Sequence, residues 1–213
     1  SAGITIITYT LPTSCIMTTS VLINPLPVPI TAPFGACVTD VINPTITLID
    51  GTPLGVWSSS NTSVASIISF SGELTGLVPG TVIITYTLPT SCITTTPITI
   101  NPLPSPIDGT KVVCANATTY LSNPDIGGVW TSSDNSSAMI DAGSGIVTGV
   151  AGLSTPTISY TLPTGCLGIT TITVNPAPGA FSGSAAVCEG STTVLAVGGG
   201  GTWQSTNPAI ASV

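Results

Sequence analysis

Thr81-Val82-Ile83-Ile84-Thr85-Tyr86-Thr87-Leu88-Pro89-Thr90-Ser91-Cys92, followed by Ile93 to Pro102, decides how this chain is read. In an extended strand successive side chains point to opposite faces. Val82, Ile84 and Tyr86 therefore share one face, and Ile83, Thr85 and Thr87 share the other. Further along, Pro156, Ile158 and Tyr160 stand on the first face against Thr157, Ser159 and Thr161 on the second. The face that stays apolar is assigned to a core. After a turn at Leu88–Ser91 a last strand runs from Ile93 to Ile100, with Ile98 and Ile100 inward. Pro97 cannot donate to a ladder, so it implies an edge position or a nitrogen that faces outward.

The stretch recurs. Tyr-Thr-Leu-Pro-Thr-x-Cys occurs at Tyr9–Cys15, Tyr86–Cys92 and Tyr160–Cys166, offsets of 77 and 74 residues. Asn-Pro follows each time, at Asn24, Asn101 and Asn175. A further cysteine recurs at Cys37, Cys114 and Cys188, and Trp-x-Ser at Trp57, Trp130 and Trp203. Self-similarity at a fixed period is the signature of an array. The expected organisation is a C-terminal part of a unit over 1–26, complete units over 27–103 and 104–177, and an N-terminal part over 178–213. The two partial units make the chain a window on something longer.

Within the unit 27–103, Pro25, Pro27 and Pro29 mark a stiff extended linker. β-branched content and turn residues then predict a strand running toward Cys37. Others are predicted near Thr45–Ile49, Gly55–Ser58, Val64–Ile68 and Glu73–Val78, before the two described above. About seven short strands in a unit of this size describe a β-sandwich. Trp57 and Trp130 are its expected core anchors, packed on Ile84 with Tyr86 and on Ile158 with Tyr160. The fold class read from the sequence is all-β: tandem Ig-like β-sandwiches joined end to end by short Pro-rich linkers. The Cys15–Cys37, Cys92–Cys114 and Cys166–Cys188 intervals are all 22 residues, which predicts junctions with little hinge freedom.

Composition removes whole classes of function. The chain has 213 residues, one Lys or Arg (Lys111), eight Asp and Glu, and no His. Without His there is no imidazole base for a Ser or Cys nucleophile and no imidazole metal ligand. One cation cannot track a phosphate backbone, so nucleic acid is excluded as a partner. No apolar run is long enough for a membrane helix. With 42% hydrophobic and 4% charged residues, the chain has the makings of a core rather than of a disordered tail. The reading is a non-enzymatic protein with no cofactor and no metal.

Trp57-Ser58-Ser59-Ser60-Asn61-Thr62-Ser63-Val64-Ala65-Ser66-Ile67 and Gly72-Glu73-Leu74-Thr75-Gly76-Leu77-Val78-Pro79-Gly80-Thr81-Val82-Ile83-Ile84-Thr85 together resemble the bacterial Ig-like domain group 2. Trp203 to Val213 resembles its first half again, and Gly145 to Val150 its second. Members of that family form stalks of adhesins and other surface proteins, so the resemblance implies extracellular display at the cell surface. The added cysteines and Asn-Pro linkers resemble giant repeat proteins of gliding and surface-attached bacteria. The function expected is a structural stalk segment of a long extracellular bacterial surface protein or filament. Its partners would be neighbouring repeats and other copies of the chain in a filament. The alternative is an adhesive module that binds carbohydrate or a surface through its own loops.

Six cysteines at repeating positions imply disulfides and an oxidising compartment. Zinc fails on spacing, because no two cysteines lie closer than 22 residues. In an Ig-like sandwich Cys37 follows the first strand, at the far end of its unit, whereas Cys92 lies in a loop at the near end. A strand length of about 20 Å separates them, and a disulfide needs Cα atoms within about 7 Å. The far end of one unit meets the near end of the next. The expected bond is thus Cys37–Cys166 across the junction, with Cys15, Cys92, Cys114 and Cys188 paired to units outside this stretch. Intradomain Cys37–Cys92 with Cys114–Cys166, or free thiols, are the alternatives.

Other motifs have plainer readings. Gly198–Gly201 lies between strands rather than before a helix, so it is a loop and no phosphate cradle. Asp108, Asp125, Asp134 and Asp141 form no calcium-loop series and are read as turn residues. The sequons at Asn61, Asn116 and Asn135 arise readily in so Thr- and Ser-rich a chain.

Overall fold

In the computed structural model, which describes residues 2–33, 36–40, 42–198 and 200–213, every regular element is a strand. The first two, β1 (Gly3–Thr10) and β2 (Ile16–Ile23), form an antiparallel hairpin paired from Gly3↔Ile23 to Thr10↔Ile16. Every residue of this hairpin is exposed.

A first body follows, built from β3 (Ala36–Cys37), β4 (Ile46–Thr47), β5 (Val56–Ser59), β6 (Ala65–Ile67), β7 (Glu73–Gly76), β8 (Gly80–Thr87) and β9 (Ile93–Asn101). Its sheets run β3-β9-β8-β5 and β4-β7-β6. β3 lies parallel to β9, and the other pairs are antiparallel. Trp57, Ile84, Tyr86 and Ile100 from one sheet share a core with Ala65 and Leu74 from the other, which is the packing of a β-sandwich. Val82, Ile84 and Tyr86 are buried while Thr81 and Ile83 are exposed, so the alternation along β8 is the one its sequence carries.

The expected strand over Thr45–Ile49 is only Ile46–Thr47. Its partner β7 begins at Glu73, just after Gly72 at φ 72°, whose carbonyl still accepts from Leu48 N–H (2.9 Å). Ile49 pairs instead with Thr31 in an isolated bridge. Pro97 stands opposite Ile83, and β3 reaches β9 only at Ile100 and Asn101. The ladder is therefore open on the other side of the proline, and no donor is missed there.

A second body repeats the plan with β10 (Asp108–Gly109), β11 (Val112–Cys114), β12 (Thr118–Ser122), β13 (Val129–Ser132), β14 (Ala138–Ile140), β15 (Ile146–Gly149), β16 (Thr157–Thr161), β17 (Leu167–Thr171) and β18 (Thr173–Asn175). β11 pairs parallel with β18, and β13-β16-β17 corresponds to β5-β8-β9. Trp130, Ile158, Tyr160, Ala138 and Val147 fill its core.

Both cores use one local device. Trp57 and Tyr86 sit opposite each other in register, with ring centroids 4.6 Å apart, and so do Trp130 and Tyr160. The Tyr86 hydroxyl donates to Thr52 O (2.6 Å) and accepts from Gly55 N–H (2.9 Å). The Tyr160 hydroxyl likewise donates to Asp125 O and accepts from Gly128 N–H. A Cβ at Gly55 or Gly128 would fall 2.3 Å from the tyrosine ring, so only glycine fits.

From 178 onward the described residues hold one isolated bridge, Ser182↔Ala196, and no strand. Trp203 is 45% exposed, against 6% and 5% for Trp57 and Trp130. Phe181 lies beside it, ring centroids 5.5 Å apart.

Candidate functional site at the junction of the two cores

The chemistry of this chain concentrates where the first body ends and the second begins. Cys37 closes β3, in register with Asn101 at the end of β9. Val38 N–H donates to Asn101 O (3.0 Å), and the Asn101 amide donates back to Ala36 O (3.0 Å). Gly76 makes this crossing possible, since a Cβ there would lie 2.4 Å from Cys37 O. The chain then leaves Asn101 through Pro102 and Pro104 to the second body.

Cys166 comes from the other side. Leu162 N–H bonds Cys166 O and Gly165 N–H bonds Leu162 O, both at 2.9 Å, with Gly165 at φ 88°. This tight turn holds Cys166 just before β17, fully buried, with Sγ 4.0 Å from Asn101 O. Cys37 and Cys166 form a disulfide with Cα atoms 5.7 Å apart across a sequence separation of 129.

Cys92, by contrast, precedes Ile93 at the opposite end of β9 from Asn101. That is roughly 26–30 Å from Cys37 at about 3.3 Å per residue, far outside disulfide reach. Cys15, Cys92, Cys114 and Cys188 carry free thiols, with Cys92 half-buried and the other three exposed.

One residue at the junction has no signal in the repeat pattern. Asn43 is buried, and its side-chain amide donates to Leu167 O (2.8 Å) while its Oδ1 accepts from Leu167 N–H (3.0 Å). Leu167 opens β17, so the asparagine acts as a one-residue strand partner reaching from the first body to the second. Asp40 holds it in place: Oδ1 accepts from Asn43 N–H (2.6 Å), Ile42 N–H (2.8 Å) and the Asn43 amide (3.1 Å). The Asn43 N–H chiefly, with Ile42 N–H and the Asn43 side chain, keeps the Asp40 carboxyl below its ordinary range, against desolvation that acts the other way. Tyr120 and Val194 stand at the equivalent sixth position after Cys114 and Cys188, so sequence repetition could not have marked Asn43.

The aspartates are occupied with turns. Asp134 accepts from Ser136 and Ser137, and Asp141 from Ser144 and Gly143; these bonds hold both carboxyls below their ordinary range. Asp125 Oδ2 accepts from Ser105 N–H, and Asp108 from Gly109 N–H. Among the described residues no group of three or more His, Cys, Asp or Glu could hold a metal ion. Of the Gly198–Gly201 run, Gly199 lies outside the described residues.

No protein-family model matches the sequence, and no curated protein does. Solved structures with some likeness include domains 4 and 5 of the S-layer protein SbsC, 17% identical over 71% of this chain and 99% of that one, with a TM-score of 0.35. The chain spans 37% of a six-domain structure of the same S-layer protein. A second is the C-terminal fragment of intimin in complex with the intimin-binding domain of its translocated receptor: 16% identity, 74% and 66% coverage, TM-score 0.43. A third is protocadherin gamma B2 extracellular cadherin domains 3–6, at 10% identity, 91% and 66% coverage and a TM-score of 0.26. Likeness of this size carries no functional argument.

Proposed function

We propose that this chain is a segment of a long extracellular stalk or filament of tandem Ig-like sandwiches, with units at 27–103 and 104–177 and parts of units at 1–26 and 178–213. Its work is mechanical, giving reach and resisting bending. The observation that carries the reading is the junction: two bodies, each with its own core, are joined by a disulfide and by the Asn43 amide as well as by the chain itself. A flexible linker would need neither. A persistent disulfide also favours an oxidising compartment. One Lys or Arg in 213 residues leaves trypsin-like proteases a single position to attack, which suits display outside a cell. Each unit would contribute roughly 35–40 Å of reach, from strands of about seven residues at about 3.3 Å each plus loops.

The test is whether the two bodies tumble as one. Residual dipolar couplings from amides of β5 and β8 and of β13 and β16 should fit a single alignment tensor in the oxidised protein. After reduction they should separate into two. Two tensors in the oxidised protein would refute a stiffened junction.

A further inference from the structure

Three of the open thiols, Cys15, Cys92 and Cys114, sit in backbone settings like those of the two that are bonded. Cys114 shares the backbone setting of Cys37, though it is exposed where Cys37 is half-buried. It closes β11 in parallel register with Asn175, as Cys37 does with Asn101. Ala115 N–H donates to Asn175 O (2.8 Å), as Val38 N–H does to Asn101 O (3.0 Å). Asn116 N–H donates to Gly149 O and Thr39 N–H to Gly76 O, both at 2.8 Å. A Cβ at Gly149 would lie 2.5 Å from Cys114 O, and one at Gly76 lies 2.4 Å from Cys37 O.

Cys92 and Cys15 match Cys166. Leu88 N–H bonds Cys92 O and Ser91 N–H bonds Leu88 O; Leu11 N–H bonds Cys15 O and Ser14 N–H bonds Leu11 O; all four are 2.9 Å, as in the Cys166 turn. Ser14 and Ser91 take φ 64° and 65° where Gly165 has 88°, a left-handed conformation that serine adopts only under local constraint. Cys92 Sγ lies 3.9 Å from Asn24 O, as Cys166 Sγ lies 4.0 Å from Asn101 O. Asn24-Pro25 repeats Asn101-Pro102, so Cys92 already occupies half of a junction.

From these matches we infer that Cys114 and Cys92 are two half-sites of one repeating disulfide. Resting on the tandem reading above, the first-strand cysteine of each unit takes the thiol of the Leu-Pro-Thr-x-Cys turn one unit further on. Cys114 and Cys188 are donors toward the C-terminal side. Cys92 and Cys15 are acceptors from the N-terminal side. Each closure removes two protons and two electrons from a pair of thiols. A small-molecule disulfide takes them up and leaves as two thiols. The bonds interleave, each spanning the turn cysteine of its own unit and the first-strand cysteine of the next, so no unit can leave the column without breaking two of them. The Asn43 clamp is peculiar to one junction, whereas the cysteine staple belongs to all.

Duplication tests this within the chain. Residues 104–177 are inserted a second time after 177, oxidised with glutathione disulfide, unfolded without reductant, alkylated and weighed intact. The parent chain should take four alkyl groups, on Cys15, Cys92, Cys114 and Cys188. The insert adds two cysteines, and closing the new junction consumes two, so the count should stay at four (4 + 2 − 2). Cys114→Ser in the first copy should raise it to five, because the inserted Cys166 equivalent then has no partner. A count of six in the duplicated chain (4 + 2), with four in the parent, overturns the repeating staple and leaves the proposed function standing. Six in the parent would mean that Cys37 and Cys166 are themselves open, and both readings would fall.

Discussion

The hairpins β1–β2 and β8–β9 share the stretch Thr-Tyr-Thr-Leu-Pro-Thr-Ser-Cys-Ile, pair over the same length and turn through the same hydrogen bonds. One is exposed along both strands, and in the other Val82, Ile84, Tyr86, Ile98 and Ile100 are buried. Tyr9 is 68% exposed and Tyr86 is 5%. Local sequence is enough to set strand, turn and register, because those depend on alternation and on the left-handed residue before the cysteine. It is not enough to bury anything. Burial comes from the tryptophan-bearing half that β8–β9 meets and β1–β2 does not.

The sharpest way to break this comparison is to remove the anchor. Trp57→Ala should destabilise the first body by about 3–5 kcal/mol, while Tyr9→Ala should leave its denaturation midpoint unchanged. Equal shifts for the two variants would mean that the hairpin is packed after all. Gly55→Ala comes next. The new methyl would meet the Tyr86 ring at 2.3 Å, and the overpacking should cost about 1–3 kcal/mol. Thermal unfolding reads it, and a neutral Gly55→Ala would show that the tyrosine is free to move aside.

Tyr86→Phe should cost less, about 1–2 kcal/mol, by stranding Thr52 O and Gly55 N–H. The corresponding Tyr9→Phe should again be silent. The smallest effect is expected from acid. The folded-state pKa of Asp40 is depressed, so its contribution is present above the ordinary Asp value of about 3.9 and is lost as pH falls through the lower folded value. Loosening of the Asn43 clamp should then raise the rate at which a phosphine reduces Cys37–Cys166. A rate that is flat through that range would detach Asp40 from the junction.

Much of this was legible in the sequence because the repeat printed it several times. The alternation of Val82, Ile84 and Tyr86 named the inward face of β8, and Trp57 and Trp130 stood at matching positions. Cys37 and Cys166 could be paired by asking which ends of a sandwich can touch. Strand lengths were less legible, since β3, β4 and β10 are two residues each and hold their places through bridges and side-chain bonds that leave little pattern. Gly55 and Gly128 precede Val-Trp in both bodies, a signal that was present and gained its meaning only from the tyrosine ring above it. Asn43 left no signal, because its partner Leu167 is 124 residues away and the contact is not repeated.

The central claim is that the staple carries load across the junction, and pulling the protein by its ends tests it most directly. Most of both cores lies within the loop closed by Cys37 and Cys166; Ala36 precedes it, and Ile172 and Val174 follow it. In the oxidised protein, unfolding the cores should release little contour length, since the 129-residue loop is shielded from force. After reduction, two steps of roughly 250 Å should appear, one for each unit of about 75 residues at about 3.4 Å per residue. Two such steps before any reductant is added would contradict the account.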